Sequence, residues 1–176
     1  MALAINDSLV PFSVKGIDGK TYSASDFKDK KALAVIFWAN HCPYVQAWED
    51  RVIQLQKEYA DRGVQFVVVS SNDPAKYPED GFEPMKERAR MKGYPFPYVF
   101  DETQEVARAY GAERTPEIFL FDKEGRLRYH GAPDDNYETT TAVRHPYFRD
   151  AIEAALKGQE PTTQETKPVG CTVKWR

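Results

Sequence analysis

Cysteine is scarce in this chain: 176 residues contain two, Cys42 and Cys171. That excludes the disulfide framework that staples small secreted domains. Histidine is nearly as rare, with three residues, and neither type shows paired spacing such as C-x-x-C or H-x-x-x-H. No metal or other cofactor is expected on that pattern. Long apolar runs are missing as well; none approaches the roughly 18 residues of a membrane span. Charge of one sign is not in excess: 24 Lys and Arg face 27 Asp and Glu, for a net charge of −3. So even a balance gives no broad attraction to nucleic acid or to an anionic membrane, and neither is expected as a partner. The first ten residues carry no positive charge ahead of an apolar core, so no secretory signal is expected and the setting is expected to be cytoplasmic. In a reducing compartment a pair of cysteines serves catalysis or sensing rather than architecture.

What the chain does have is apolar and aromatic residues, at 41% and 13%, enough for one full-sized core. Their pattern alternates strands with helices. Residues 11–23 read as a hairpin turning at Asp18-Gly19. Residues 33–38 are apolar on both faces, as a strand covered on each side is, and 64–71 read as a second buried strand. Between them, Val45, Trp48, Val52, Leu55 and Tyr59 recur at spacings of three and four, one stripe of a helix running from about Pro43 to Tyr59. Further helices are expected over 83–92, 103–110 and 147–156, a short strand over 98–100, and a hairpin of strands over 117–122 and 126–130. The result is an α/β class with a mixed sheet and helices on both faces. The boundary is drawn at Gly158, giving a domain over 1–158 and a polar, then apolar, tail over 159–176.

The stretch AVIFWANHCPYV organises the rest. A buried strand ends, one cysteine follows, and Pro43 opens a helix, a position where its missing N–H costs nothing. Cys42 therefore sits at a helix N-terminus, where free backbone N–H groups favour a thiolate, the nucleophilic form. The competing reading of a lone cysteine is a small, inert apolar residue in the core.

These residues carry a resemblance. Trp38, Cys42 and Pro43 across a strand-to-helix turn resemble the active-site stretch of thioredoxin-fold proteins, which reads W-x-x-x-C-x-x-C. The strings NHCPYV and GCTVKW together resemble a bacterial subgroup of redoxins within the alkyl hydroperoxide reductase and thiol-specific antioxidant superfamily. The resemblance implies the thioredoxin fold with an N-terminal hairpin and an insertion after the second main strand. It further implies that Thr115-Pro116, in GAERTPEIFLFD, is the cis-proline element, with Thr115 facing Cys42 and able to hold an incoming thiol or peptide edge.

Two departures matter. Val45 stands where the family has its second cysteine, so no neighbouring thiol can resolve a mixed disulfide on Cys42. Ala39 stands where typical peroxiredoxins have a threonine, and their P-x-x-x-T-x-x-C string is absent. Cys171 is the only other thiol, and the residues after Gly158 can span about 40 Å, so Cys171 is expected to resolve Cys42. Val169, Cys171 and Val173 alternate with Gly170, Thr172 and Lys174, as in an edge strand. Only apolar contacts from Val173 and Trp175 are expected to hold this tail, leaving it mobile when reduced. His41 and Arg114 are candidates to favour the thiolate through positive charge.

The expected activity is thiol–disulfide exchange, with a protein or small-molecule disulfide as substrate and a thioredoxin-type dithiol as electron donor. Two alternatives stay open: a peroxiredoxin-like thiol peroxidase, and a non-catalytic thioredoxin-like binding module, which the loss of a cysteine at Val45 favours.

Overall fold

A computed structural model describes all residues from Met1 to Arg176. Its elements run in the order β1 (Ser13–Gly16), β2 (Thr21–Ser23), β3 (Ala32–Trp38), α1 (Pro43–Tyr59), β4 (Val64–Ser70), α2 (Phe82–Lys92), β5 (Tyr98–Phe100), α3 (Glu105–Tyr110), β6 (Arg114–Thr115), β7 (Glu117–Asp122), β8 (Leu127–Gly131), α4 (Tyr147–Leu156) and β9 (Cys171–Thr172). One seven-stranded sheet has the order β2-β1-β5-β4-β3-β7-β8. β3 and β4, and β4 and β5, pair parallel, whereas β7 runs antiparallel to β3 and to β8. This is the expected mixed sheet, and the thioredoxin-like core lies within it.

The central strand shows why the sequence reads as it does. Every residue of β3 is buried. Ala34, Ile36 and Trp38 join the core beneath α1, α2 and α4, and Leu33, Val35 and Phe37 join a second core beneath α3. Alternate side chains point to opposite faces, so a strand covered on both sides must be apolar throughout. The α1 stripe from Val45 to Tyr59 is buried as its spacing requires. Each such aliphatic or aromatic side chain stabilises the fold by roughly 1.5–3 kcal/mol on full burial.

One buried polar side chain ties a helix to the sheet. Gln56 of α1 donates to the Val64 carbonyl at 2.9 Å and accepts from the Phe66 N–H at 2.7 Å, locking the helix to the start of β4. The third expected helix starts two residues later than its pattern suggested. Gln104 adopts φ 66° there, because its side chain is drawn inward to the Ser71 and Lys174 carbonyls.

The tail docks as a strand, as its alternation suggested, and finds more partners than expected. It does not hang free: residues 164–166 lie along the edge of β8, where the His130 N–H donates to the Gln164 carbonyl and the Thr166 N–H donates to the His130 carbonyl. The chain then reaches β6, with which β9 pairs antiparallel in a separate two-stranded sheet. Gly131 and Gly170 permit this approach. A Cβ at the first would run into Thr166, and one at the second into the Thr115 carbonyl.

Candidate active site

The turn between β3 and α1 is built rigidly. Asn40 accepts from the Tyr98 hydroxyl at 2.7 Å, donates to the Glu79 carbonyl at 2.9 Å, and receives the Gln46 amide on its own carbonyl at 2.9 Å. Cys42 follows as the N-cap of α1, with extended backbone (φ −72°, ψ 119°) and Pro43 in the first turn. Its sulfur is buried and donates to the Thr115 carbonyl at 3.4 Å. Trp38, at the end of β3, anchors the turn through its indole N–H on the Tyr94 hydroxyl, 3.1 Å away.

The Thr115–Pro116 peptide bond is cis. Thr115 is buried, and its side-chain hydroxyl has no hydrogen-bond partner. Its backbone is paired with the tail, since the β6–β9 register sets Thr115 opposite Cys171. Both sulfurs therefore converge on this one residue. Burial first, and then contact with Cys42, pushes the Cys171 thiol up to about 11.

Hydrogen bonds hold the tail here as well as the apolar contacts expected of it. The Val173 N–H donates to the Glu113 carbonyl at 2.9 Å. The Lys174 N–H donates to Asn72 Oδ1 at 2.9 Å, and its carbonyl accepts from the Asp73 N–H at 2.9 Å and from Gln104 Nε2 at 3.0 Å. Val173 is buried and Trp175 lies 4.5 Å beneath the Arg108 guanidinium, but Val169 is exposed. Cys171 itself is half-buried rather than exposed.

His41 and Arg114 find other partners. His41 stacks on Tyr77 with ring centroids 5.2 Å apart, its Nδ1 lies against the Asp80 carboxylate, and its N–H donates to Asp80 at 3.2 Å. Arg114 is exposed and donates to the Gly170 carbonyl at 3.4 Å, so its guanidinium braces the tail. Sequence reasoning missed Asp80, Asn72, Glu117 and His130. Asp80 and Asn72 sit in a loop rich in breakers, and Glu117 and His130 sit within strands, where only an unexpected polar residue in an apolar run could have marked them.

Known proteins resemble this chain in sequence and in fold. The chain is similar to thiol-disulfide oxidoreductase ResA of Geobacillus thermodenitrificans, 26% identical over 127 residues, which are 72% of this chain and 68% of the relative. The ResA protein of Geobacillus kaustophilus matches to the same extent. Among solved structures, a hypothetical protein of Sinorhizobium meliloti is 34% identical with a TM-score of 0.94, covering 100% of this chain and 97% of that one. An uncharacterized conserved protein of Geobacillus kaustophilus is 36% identical with a TM-score of 0.93, covering 98% and 93%. A thioredoxin-family thiol:disulfide interchange protein of Chlorobium tepidum shares the fold at 24% identity and a TM-score of 0.67, covering 88% and 99%. The model of the AhpC/TSA family matches residues 5–130, and the chain belongs to that family.

Proposed function

We propose that this protein is a thiol–disulfide oxidoreductase with Cys42 as nucleophile and Cys171 as resolving thiol. The observation that carries the proposal is the convergence of both sulfurs on Thr115, one through a hydrogen bond and the other through strand register. In the forward direction, the Cys42 thiolate attacks one sulfur of a substrate disulfide. A Cys42–substrate mixed disulfide forms and the other substrate sulfur leaves as a thiolate, which takes up a proton. The Cys171 thiol loses its proton and attacks the Cys42 sulfur. The Cys42–Cys171 bond forms, and the second substrate sulfur leaves as a thiolate. The substrate has gained two electrons and the protein has lost two; an external dithiol of the thioredoxin type restores both thiols.

The environment of Cys171 supports this order of events. Its raised value keeps it a thiol, and hence a poor attacker, while Cys42 is free. Once the tail has moved aside and Cys42 is bonded to substrate, both causes, burial in the docked tail and the Cys42 thiol, are withdrawn. Resolution is thus favoured after the first step rather than before it. Cys42 is buried while the tail is docked, so segment 170–172 must step aside to admit a substrate.

Peroxide reduction has weaker support. Ala39, at the position where peroxiredoxins carry a threonine, is buried in the apolar core and offers no hydroxyl to a peroxide. Loss of the cysteine at Val45 does not by itself make a binding module here, because Cys171 stands beside Cys42 instead. The cytoplasmic setting expected from the sequence remains part of the proposal. The test is turnover of a disulfide substrate and of hydrogen peroxide side by side with a thioredoxin-type donor. Faster turnover of the disulfide supports the reading; turnover of peroxide alone overturns it.

A further inference from the structure

Behind the two sulfurs lies a buried polar cluster that the mechanism above does not use. Glu117, the residue after Pro116, is buried with its carboxylate turned back onto the chain. One oxygen accepts from the N–H groups of Glu113 and Arg114, each at 2.9 Å. The other meets His130 Nε2 at 2.6 Å. The second ring nitrogen of His130 lies 3.3 Å from Glu165 in the tail. The ring stacks on Phe119, with centroids 4.5 Å apart. The charged groups facing it are Glu117 from β7 and Glu165 from the tail; on its own strand, Arg128 is taken up by Asp122 and Asn6 at 2.6 and 2.8 Å.

A buried carboxylate is costly unless it is both hydrogen-bonded and paired. Glu117 meets both conditions by gripping two successive amides just before Thr115 and by facing His130. The gripped residues are those that receive the tail: Glu113 accepts from Val173, and Arg114 pairs with Thr172. The carbonyl of Thr115, next in the chain, takes the Cys42 hydrogen bond.

We infer that Glu117, braced by His130, is the positioning residue of this site. It sets the strand that carries the Thr115 carbonyl to both sulfurs and, through His130 and Glu165, ties that setting to the root of the tail. The inference rests on the thiol–disulfide reading for its functional consequence but not for its geometry. Burial works against charge on His130, yet the hydrogen bonds and charges of Glu117 and Glu165 outweigh it and raise the imidazole above its ordinary value. A raised histidine keeps its contribution in full below the ordinary value of about 6.5 and loses it as pH rises through the raised one. The brace is therefore tight in mild acid and relaxes toward alkaline pH.

The test uses the isotope-labelled full chain and its variants from pH 5 to 9. In the wild type, the Arg114 amide resonance should follow a titration lying above the ordinary histidine value. Exchange with glutathione disulfide should show an inflection at the same pH. His130→Asn should abolish both features in a folded protein. Glu117→Gln keeps an oxygen for the two amides but removes the charge, so it should retain their protection from hydrogen exchange while losing the inflection. Glu117→Ala should lose that protection and slow disulfide exchange by about tenfold, the scale of losing a hydrogen bond to a charged group. If Glu117→Ala does not fold, the other two variants still decide the matter. An Arg114 amide blind to pH in the wild type, or one that still titrates in His130→Asn, overturns the positioning role. If the amide follows His130 but no variant, nor the wild type, exchanges with glutathione disulfide, the positioning stands and the thiol–disulfide reading falls.

Discussion

The two sulfurs meet at one residue but are held there by different physics. Cys42 belongs to the core: it is buried, it caps a seventeen-residue helix, and its neighbours are the apolar residues of β3 and α1. Moving it would open the largest packed region of the molecule. Cys171 belongs to a two-residue strand bonded to another two-residue strand, and most of what holds the surrounding tail is hydrogen bonding to side chains and loop amides. Each such bond contributes about 1 kcal/mol net, so the tail can be released without disturbing the core. The difference teaches that, in the proposed mechanism, the nucleophile is fixed by burial and its resolving partner by a polar clasp, which makes one stationary and the other movable.

The comparison breaks most completely at the sulfurs themselves. Cys42→Ser should abolish disulfide exchange, measured with glutathione disulfide. Cys171→Ser should leave the first step intact and trap the mixed disulfide on Cys42, visible as an adduct by mass spectrometry. Equal loss in both variants, with no adduct, would contradict the division of roles. In Cys42→Ser the alkylation profile of Cys171, pushed up to about 11 in the intact protein, should shift to lower pH because the contribution of Cys42 has gone.

Next in size is the clasp at its tightest point. Gly170→Ala places a methyl group against the Thr115 carbonyl, so the tail should undock and Cys42 should become accessible to alkylation. The core should stay folded, with near-ultraviolet circular dichroism largely kept. A Cys42 still shielded in that variant would show that the tail is not its cover.

Much of this was legible beforehand. An apolar run that admits no polar residue, such as β3, can only be a strand buried on both faces, and the α1 stripe can only be one helix face. The abrupt change from Trp38 to Cys42-Pro43 located the helix N-terminus at which Cys42 sits. The clasp was hidden for a physical reason. Asn72, Asp73 and Gln104 are ordinary loop residues in sequence, and their meeting with Lys174 depends on strand order and on a backbone crossing about a hundred residues away. Glu117 and His130 were hidden in the same way: Glu117 opens β7 and His130 lies near the end of β8 beside Arg128, and nothing in either strand's pattern shows that the two meet. The tail's own alternation located β9 but not its grip, because side-chain periodicity says nothing of which amides a segment will find.

Smaller perturbations sharpen the comparison. Asn72→Ala removes the acceptor for the Lys174 N–H and a donor to the buried Asp80, and should destabilise tail docking by about 1–2 kcal/mol. Faster hydrogen exchange of the Lys174 amide, without change in β3 or β4, is the expected signature. Arg108→Ala removes the cation over Trp175 and should cost about 0.5–1 kcal/mol, read as a modest rise in Trp175 exposure by fluorescence quenching.

The most direct test of the central claim is peptide mapping by mass spectrometry of monomeric protein after one equivalent of oxidant, digested without reduction. The account predicts a single linked pair of peptides joining Cys42 to Cys171, lost on treatment with a dithiol and regained on reoxidation. Two free thiols in monomeric protein, or linkage found only between separate chains, would contradict it.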